Sequence, residues 1–520
     1  MKLKKLLYCT ALILVMQLAV SCNKWLELKP LDGIIREEFW NTKEDLNSAL
    51  IGLYTSIVFN PKAIMDDTKD EKTAEYVMFL WGEIRADMLD DIPGTAVDQR
   101  DFNDVTSVNI TPANNIIRWS PIYRVINNCN TFLDYAPNVL EKDPTITEAQ
   151  YNAYIGEALT LRSLMYFYLV RAFKDVPLRL TAVSKDDDIQ EIGKADGNVV
   201  LDQIISDLKK AEMWVPFSHT ATPSPFNMTN DKGRITRLAV HALLADVYLW
   251  KEDYGNSLAQ CIKVTDYAAA NPLRLGLVRA QSNWGSTVFE LGSSRETIFE
   301  LSHRTSVPNI YGPLFSGGAK RFNASQRLSD VFEADDSVDP LKIDVRADAT
   351  FDSGNSAILK FGGLITSYYN YQIYRYPEVM LMKAEALVGR MEETGDAAFG
   401  QQALTIINEL RLQRNAADAT APPPGLFDDV TGLYEYILDE RSRELAFEGK
   451  RWFDVLRHAK RKNYTQNLDY LLSMVSTSVT GSLQQTAINK FRDFNSHYFP
   501  IWKDDIFADT KLTQNPFYAN

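Results

Sequence analysis

The sequence predicts a mostly α fold, a scaffold of helical hairpins with a loop-rich face, and three observations carry that prediction. Apolar residues recur at the spacing of one helix face in several long segments; alanine stands where such helices would cross; and stretches rich in Gly, Pro, Asn and aromatic residues separate the pairs. Leu46, Leu50, Leu53 and Ile57 form the first stripe, with Thr42 and Asp45 reading as a capping box at its start. Trp119, Tyr123, Ile126, Asn130 and Leu133 form the second. The third runs from about Tyr151 to Phe173 through Ala158, Leu161, Met165, Leu169 and Ala172, and must stop before Pro177, whose nitrogen carries no proton for a helical hydrogen bond. After Gly233 come Val240, Leu243, Val247 and Trp250, then Leu258 to Tyr267; Val379 to Leu387 and Ala403 to Arg414 complete the series.

Ala158, Ala242, Ala245, Ala384 and Ala386 let helices approach closely. Pairs of roughly 34 residues with Ala at the crossings are the pattern of tetratricopeptide-like stacking, in which each pair buries its face only against its neighbours. Four stretches lack helical period: Asp66 to Thr111, Ser218 to Asp231, Asn271 to Tyr374 and Asn463 to Asn520. Within the third, Thr287 to Leu291 and Thr297 to Leu301 read as short strands.

With 45% apolar residues over 520 positions the chain can bury a large core, and its net charge of −13 repels phosphate backbones, so no nucleic acid is expected as a partner. Lys2, Lys4 and Lys5 precede an apolar run from Leu6 to Ala19, the pattern of an export signal. The run ends in Leu18-Ala19-Val20-Ser21-Cys22, which resembles a lipobox with Cys22 as the acylated residue. Residues 1–21 are therefore expected to be a signal peptide, and 22–520 a single domain with irregular inserts at about 66–111 and 271–374. Acyl chains at Cys22 would hold that domain at a membrane, each buried CH₂ contributing roughly 0.8 kcal/mol. Cys129 and Cys261 are the two cysteines left to pair in an oxidising compartment; both lie on helical patterns, and two small buried apolar residues is the favoured reading over a bridge.

Several stretches, taken in order, resemble one family. They are Glu157 to Leu164, Asp175-Val176-Pro177-Leu178, Tyr376 to Ala386, Ile407 to Arg411, the run Ile437 to Arg457, Tyr498 to Trp502 and Asn515 to Tyr518, with Trp25-Leu26-Glu27 close behind the lipobox. Together these look like the SusD/RagB family of outer-membrane nutrient-binding lipoproteins. The resemblance implies a SusD-like helical scaffold with an irregular ligand-binding face, lipid-anchored at the cell surface. It further implies an oligosaccharide or polysaccharide ligand, and a SusC-like TonB-dependent porin as the partner that takes the cargo. An interaction scaffold that binds peptides in its groove is the alternative reading.

In that family, ligand contacts come from the loop after the first helices and from the central insert. Here these correspond to Trp81 through Asp87 and to Asn283 through Phe322. Arg85 and Asp87 are the candidates for hydrogen bonds to sugar hydroxyls; Trp81, Trp284, Tyr311 and Phe315 are candidates for stacking on a pyranose face, as are Tyr368 and Tyr369. Trp119, Trp250 and Trp452 sit on helical stripes and read as core. In the Glu440 to Arg457 run, Asp439 with Arg443 and Arg441 with Glu444 have the spacing of pairs that stabilise a helix face. No HExxH, no zinc spacing among His219, His241, His303, His458 and His497, no G-x-S-x-G elbow and no phosphate loop is present, so neither a cofactor, a metal nor a catalytic group is expected.

Overall fold

The computed structural model describes residues 39–60, 72–92, 99–183, 190–220, 228–279, 283–303, 309–316, 320–336, 339, 341–361, 369–417 and 430–519. Cys22 and Tyr368 lie outside them. Eight helices form the scaffold: α1 (Lys43–Val58), α2 (Ser120–Lys142), α3 (Glu148–Phe173), α4 (Gly197–Trp214), α5 (Arg237–Trp250), α6 (Tyr254–Ala270), α7 (Tyr376–Thr394) and α8 (Ala397–Gln413). Each packs on the next along the series, which gives the stacked-hairpin architecture its continuous core.

Local chemistry explains the ends. At α1, Thr42 Oγ1 accepts from Asp45 N at 3.2 Å while Asp45 Oδ2 accepts from Thr42 N at 2.9 Å, the expected capping box. Pro377 stands in the first turn of α7, where its missing N–H costs nothing, and Gly395 closes that helix in the left-handed conformation. Helix α4 was not expected. Its buried stripe of Val200, Leu201, Ile204, Leu208 and Ala211 does follow helical spacing, capped by Asp196.

The stretches read as lacking period contain further short helices, among them Ala74–Glu83, Gln99–Thr106, Gln326–Asp336, Leu468–Ser478 and Gln484–Phe491. Of the six short strands among the described residues, four knit distant parts of the inserts together: β1 (Leu89–Asp91), β2 (Thr297–Leu301), β3 (Phe322–Ala324) and β4 (Tyr371–Arg375). β1 pairs antiparallel with β3 and β2 with β4. The strand expected over Thr297 to Leu301 is present, but Thr287 to Leu291 is not a strand. Residues Ser286–Glu290 make a π-helical turn that buries Val288 and Phe289 on one side, which alternation cannot do. Trp119, Trp250 and Trp452 are buried, and Cys129 and Cys261 are free and buried, their thiols pushed up to about 12 by desolvation.

The Glu440 to Arg457 run differs most from its expectation. It is not one helix but two, α9 (Val430–Leu445) and α10 (Arg451–Tyr464), separated by a break in which Phe447 and Gly449 take positive φ. Its charges do not decorate a helix face; they are buried and answer to other segments. Glu440, Glu444 and Glu448, four residues apart, form a column of carboxylates. Glu444 accepts from Arg346 Nη1 (3.0 Å), Arg375 Nη1 (2.5 Å) and Arg414 Nη2 (2.9 Å). Glu440 accepts from Arg346 (2.8 Å), Arg411 (2.6 Å) and Arg443 (3.2 Å), and Glu448 from Arg375 (2.8 Å) and Lys360 (2.6 Å). Arg414 also reaches Glu296 at 2.9 Å, and Arg346 reaches Asp344 at 2.6 Å. The two pairs expected are replaced by others: Arg441 stands 2.7 Å from Asp454 on the next helix, and Asp439 is 2.6 Å from Arg327 in the central insert.

Burial alone would raise the Glu440 carboxyl, but Arg346, Arg411 and Arg443 outweigh it and hold it down at about 2. The folded pKa lies below the ordinary 4.5, so this group's stabilisation is complete above that value and is lost as pH falls toward 2. Unfolding curves collected across this range should show stability dropping from about pH 4.5 downward; a flat profile would contradict a charged Glu440. Replacing Glu444 by Gln leaves buried guanidinium groups short of a counter-charge and should cost about 3–5 kcal/mol in urea denaturation at pH 7. A cost under about 1 kcal/mol would show that the column is not what holds these segments.

Candidate functional site

A cavity of about 490 Å³ opens where five chain ends and turns meet. Its walls come from the end of α3, the start of α4, the turn between α5 and α6, the end of α10 and the short 3-10 helix Phe494–His497. The lining mixes aromatic rings with carboxylates, amides and lysines: Trp250, Tyr464, Phe494 and Tyr498 beside Asp175, Asp196, Glu252, Asp493, Asn198, Asn463 and Asn495, with Lys174, Lys251 and Lys460.

Each wall is set by local sequence. Pro177 forbids continuation of α3, and the chain turns sharply at Lys174, with φ 68° and ψ −74° and its N–H still donating to Val170 O. Val176 then bridges Ala195, which brings Asp175 onto the start of α4, where it accepts from Gly197 N at 3.0 Å. Gly197 lies so close to the Lys174 carbonyl that a Cβ would collide with it. Asp196 caps α4 by accepting from Asn198 N at 2.8 Å, and Asp493 caps the 3-10 helix by accepting from Asn495 N at 2.9 Å. Lys460 donates to Trp250 O at 2.5 Å and stands 3.7 Å from Glu252; burial lowers its pKa to about 8 against the pull of that carboxylate.

The aromatic element is a stacked pair. Tyr464 and Phe494 lie parallel, ring centroids 4.1 Å apart and 7° between planes, and Phe494 is 40% exposed. Backbone strain gathers at the same place. Among the described residues ten non-glycine positions have positive φ, and five of them, Lys174, Glu252, Lys462, Asn463 and Tyr464, line or adjoin this cavity. Such conformations cost of order 1–3 kcal/mol each and persist where the surroundings over-determine them, typically at binding sites. The arrangement suits a neutral, hydroxyl-rich ligand: a flat apolar surface for C–H groups, ringed by fixed acceptors and amide groups. A second cavity of about 460 Å³ is walled by Pro177, Arg179, Val183, Gln190 and Glu191, by α2 and by the Asp505–Leu512 segment, and is mainly apolar. Among the described residues no group of three or more His, Cys, Asp or Glu could hold a metal, and no helix is long and apolar enough to cross a membrane.

A model described as the SusD family matches residues 360–518, and one described as starch-binding associating with outer membrane matches residues 24–249. SusD-like protein P2 of Formosa agariphila is 26% identical over 90% of this chain and 96% of its own. Two solved structures share the fold. Surface glycan-binding protein A from Bacteroides uniformis has a TM-score of 0.70 at 20% identity, covering 92% of this chain and 100% of its own. A laminarin-binding SusD-like protein has a TM-score of 0.67 at 19% identity, again over 92% and 100%.

The residues singled out in the sequence do not gather at a surface. Trp81 is buried, its Nε1 donating to Ile116 O at 2.8 Å. Arg85 is buried over the rings of Trp452 and Phe499 and donates to His497 O (2.6 Å) and Ser496 O (2.7 Å). Asp87 makes a two-pronged pair with Arg451 at 2.8 and 2.9 Å. Trp284 is sealed beneath Arg414, and Tyr311 stacks at 3.8 Å on Phe361 with Phe315 beside it. Tyr369 is buried too. Large rings without a periodic context still gain most by burial, so irregular sequence is a poor sign of exposure. The cavity, by contrast, is signalled only by turn chemistry: Asp175 before Pro177, Asp196-Gly197, Asn463-Tyr464 and Asp493-Phe494-Asn495. Arg85→Ala should accordingly lower the unfolding free energy by about 3–5 kcal/mol, by opening a void and orphaning two carbonyls. Chemical denaturation checks this, and a variant of unchanged stability would return Arg85 to the list of ligand contacts.

Proposed function

The chain belongs to the SusD/RagB family, and from that premise we propose that it is a cell-surface protein that binds oligosaccharide in the cavity faced by Tyr464 and Phe494 and passes it to a SusC-like TonB-dependent porin. It is a binding protein and not an enzyme. In this reading Cys22 carries the lipid that keeps the domain on the outer membrane, where the transporter works. The observation that carries the assignment is the exposed ring of Phe494, held flat on Tyr464 at the mouth of a cavity whose carboxylates are already fixed by backbone N–H groups. Rigid rings and pre-bonded acceptors lose little conformational freedom when a sugar arrives, which is how a shallow, wet site gains affinity. That relatives of the same fold are described as glycan-binding and laminarin-binding supports the ligand class.

The test is calorimetry with the full chain in detergent against panels of neutral oligosaccharides and of peptides. Saccharide heats are expected. Phe494→Ala should weaken them about tenfold, the loss of roughly 1.4 kcal/mol of stacking on the sugar, with the lost Tyr464 contact lowering the melting temperature by only a few degrees. Peptide heats without saccharide heats would mean an interaction scaffold instead.

A further inference from the structure

The cavity's charges go further than its aromatic pair and say what kind of glycan it admits. Its lining carries four carboxylates, Asp175, Asp196, Glu252 and Asp493, against three ammonium groups, Lys174, Lys251 and Lys460. Two of those cations are already committed: Lys251 pairs with Asp202 at 2.6 Å, and Lys460 lies 3.7 Å from Glu252 while donating to Trp250 O. Three of the acids are not in ion pairs. Asp175, Asp196 and Asp493 are each fixed by a backbone N–H, from Gly197, Asn198 and Asn495, and keep lone pairs for a hydroxyl donor. Lys174 is the exposed cation left uncommitted, and Lys194, behind the bridge from Val176 to Ala195, feels the charge of Asp175. Among the described residues no arginine lines it, the side chain best shaped to grip a carboxylate or sulfate with two parallel bonds.

We propose that this cavity selects neutral or amino-bearing glycans and rejects those carrying uronate or sulfate. The inference rests on the glycan-binding reading given above and adds the sign of the selection. Sugar hydroxyls donate to Asp175, Asp196 and Asp493, whereas an anionic substituent would meet the same three carboxylates with one free lysine to offset them.

A comparison on a single backbone isolates charge from sugar identity. The neutral oligosaccharide that binds best in calorimetry is oxidised at C6 to its uronate form and titrated into the same full-length protein in detergent. The oxidised form is expected to bind about tenfold more weakly at low salt. The gap should shrink as sodium chloride rises from about 20 to 500 mM, since added ions screen repulsion at the cavity mouth. In the variant carrying Asp175→Asn and Asp493→Asn, which keeps a side-chain oxygen to accept from Gly197 N and Asn495 N, the gap should fall below about threefold. Equal or tighter binding of the oxidised sugar by the native protein would overturn the proposal, as would a gap indifferent to salt, a measurement that needs no variant. Absence of heat with every neutral glycan would remove the glycan reading itself, a result distinct from binding without charge selection.

Discussion

A buried carboxylate must be met on all sides, and the fold turns on how that requirement is satisfied at Glu444. Removing such a group from water costs several kcal/mol even after relaxation, and one ion pair rarely restores it. Here three guanidinium groups converge on the carboxylate from three different segments: Arg346 after the insert's Gln326–Asp336 helix, Arg375 at the end of β4, and Arg414 just past α8. Glu440, one helical turn before it, is met by Arg346, Arg411 and Arg443, and Glu448, in the break after the helix, by Arg375 and Lys360. Apart from Arg443, which meets Glu440 from the same helix, none of these partners is near in sequence, so the column is fully neutralised only when the central insert, the β2–β4 ribbon and the α7–α8 hairpin are all in place. Hydrophobic burial would tolerate small shifts among those elements; a lattice of hydrogen-bonded charges in a low dielectric does not. The column therefore specifies register more than it adds stability.

That register passes along the chain to the cavity. Just after Glu444 the helix breaks, with Phe447 and Gly449 at positive φ, and the freed N–H groups of Gly449 and Lys450 are taken by Glu83 at 2.9 and 3.3 Å. Burial raises the Glu83 carboxyl to about 8, and those two N–H groups oppose the rise. Gly82 is pressed against the Gly449 carbonyl, where a side chain has no room. The break fixes the direction of α10, and Arg457, paired with Glu385 at 2.8 and 2.7 Å, ties α10 to α7. The end of α10, with Lys460, Asn463 and Tyr464, then arrives beside the turn after α5 and completes one wall of the cavity.

The scaffold was legible because helix packing writes a period into the sequence. The stripes at Leu46 to Ile57 and Tyr151 to Phe173, the cap at Thr42 and the stop at Pro177 all correspond to what the structure contains. Helix α4 was missed although its spacing was readable, since it lies between a charged segment and one rich in Ser, Thr and Pro. The meaning of the Glu440 to Arg457 run was not readable at all. Acids and bases three and four apart satisfy a helix surface and a buried column equally well, and only the location of Arg346, Arg375 and Arg414 decides between them. The same ambiguity misdirected attention to Trp81, Trp284 and Tyr311: a ring in a stretch of sequence without a clear period is as suited to sealing an insert as to meeting a sugar, and here burial takes it.

The cavity has no period to betray it, because it is made of places where regular structure stops. Lys174, Glu252, Asn463 and Tyr464 occupy conformations that their side chains disfavour, and in isolation each turn would relax. They are held because the elements on either side cannot move: α3 and α4 are joined by the Val176 to Ala195 bridge, α5 and α6 share the main core, and α10 is tied back through Arg457. A site assembled in this way can change its lining residues without disturbing the helices, since capping and turn positions tolerate substitution better than core stripes do. It also stays rigid when empty, so the ordering of its rings and acceptors is completed during folding rather than during binding. The strained turns, the stacked Tyr464–Phe494 pair and the distant column at Glu444 are thus parts of one arrangement, in which a costly interior makes a fixed surface possible.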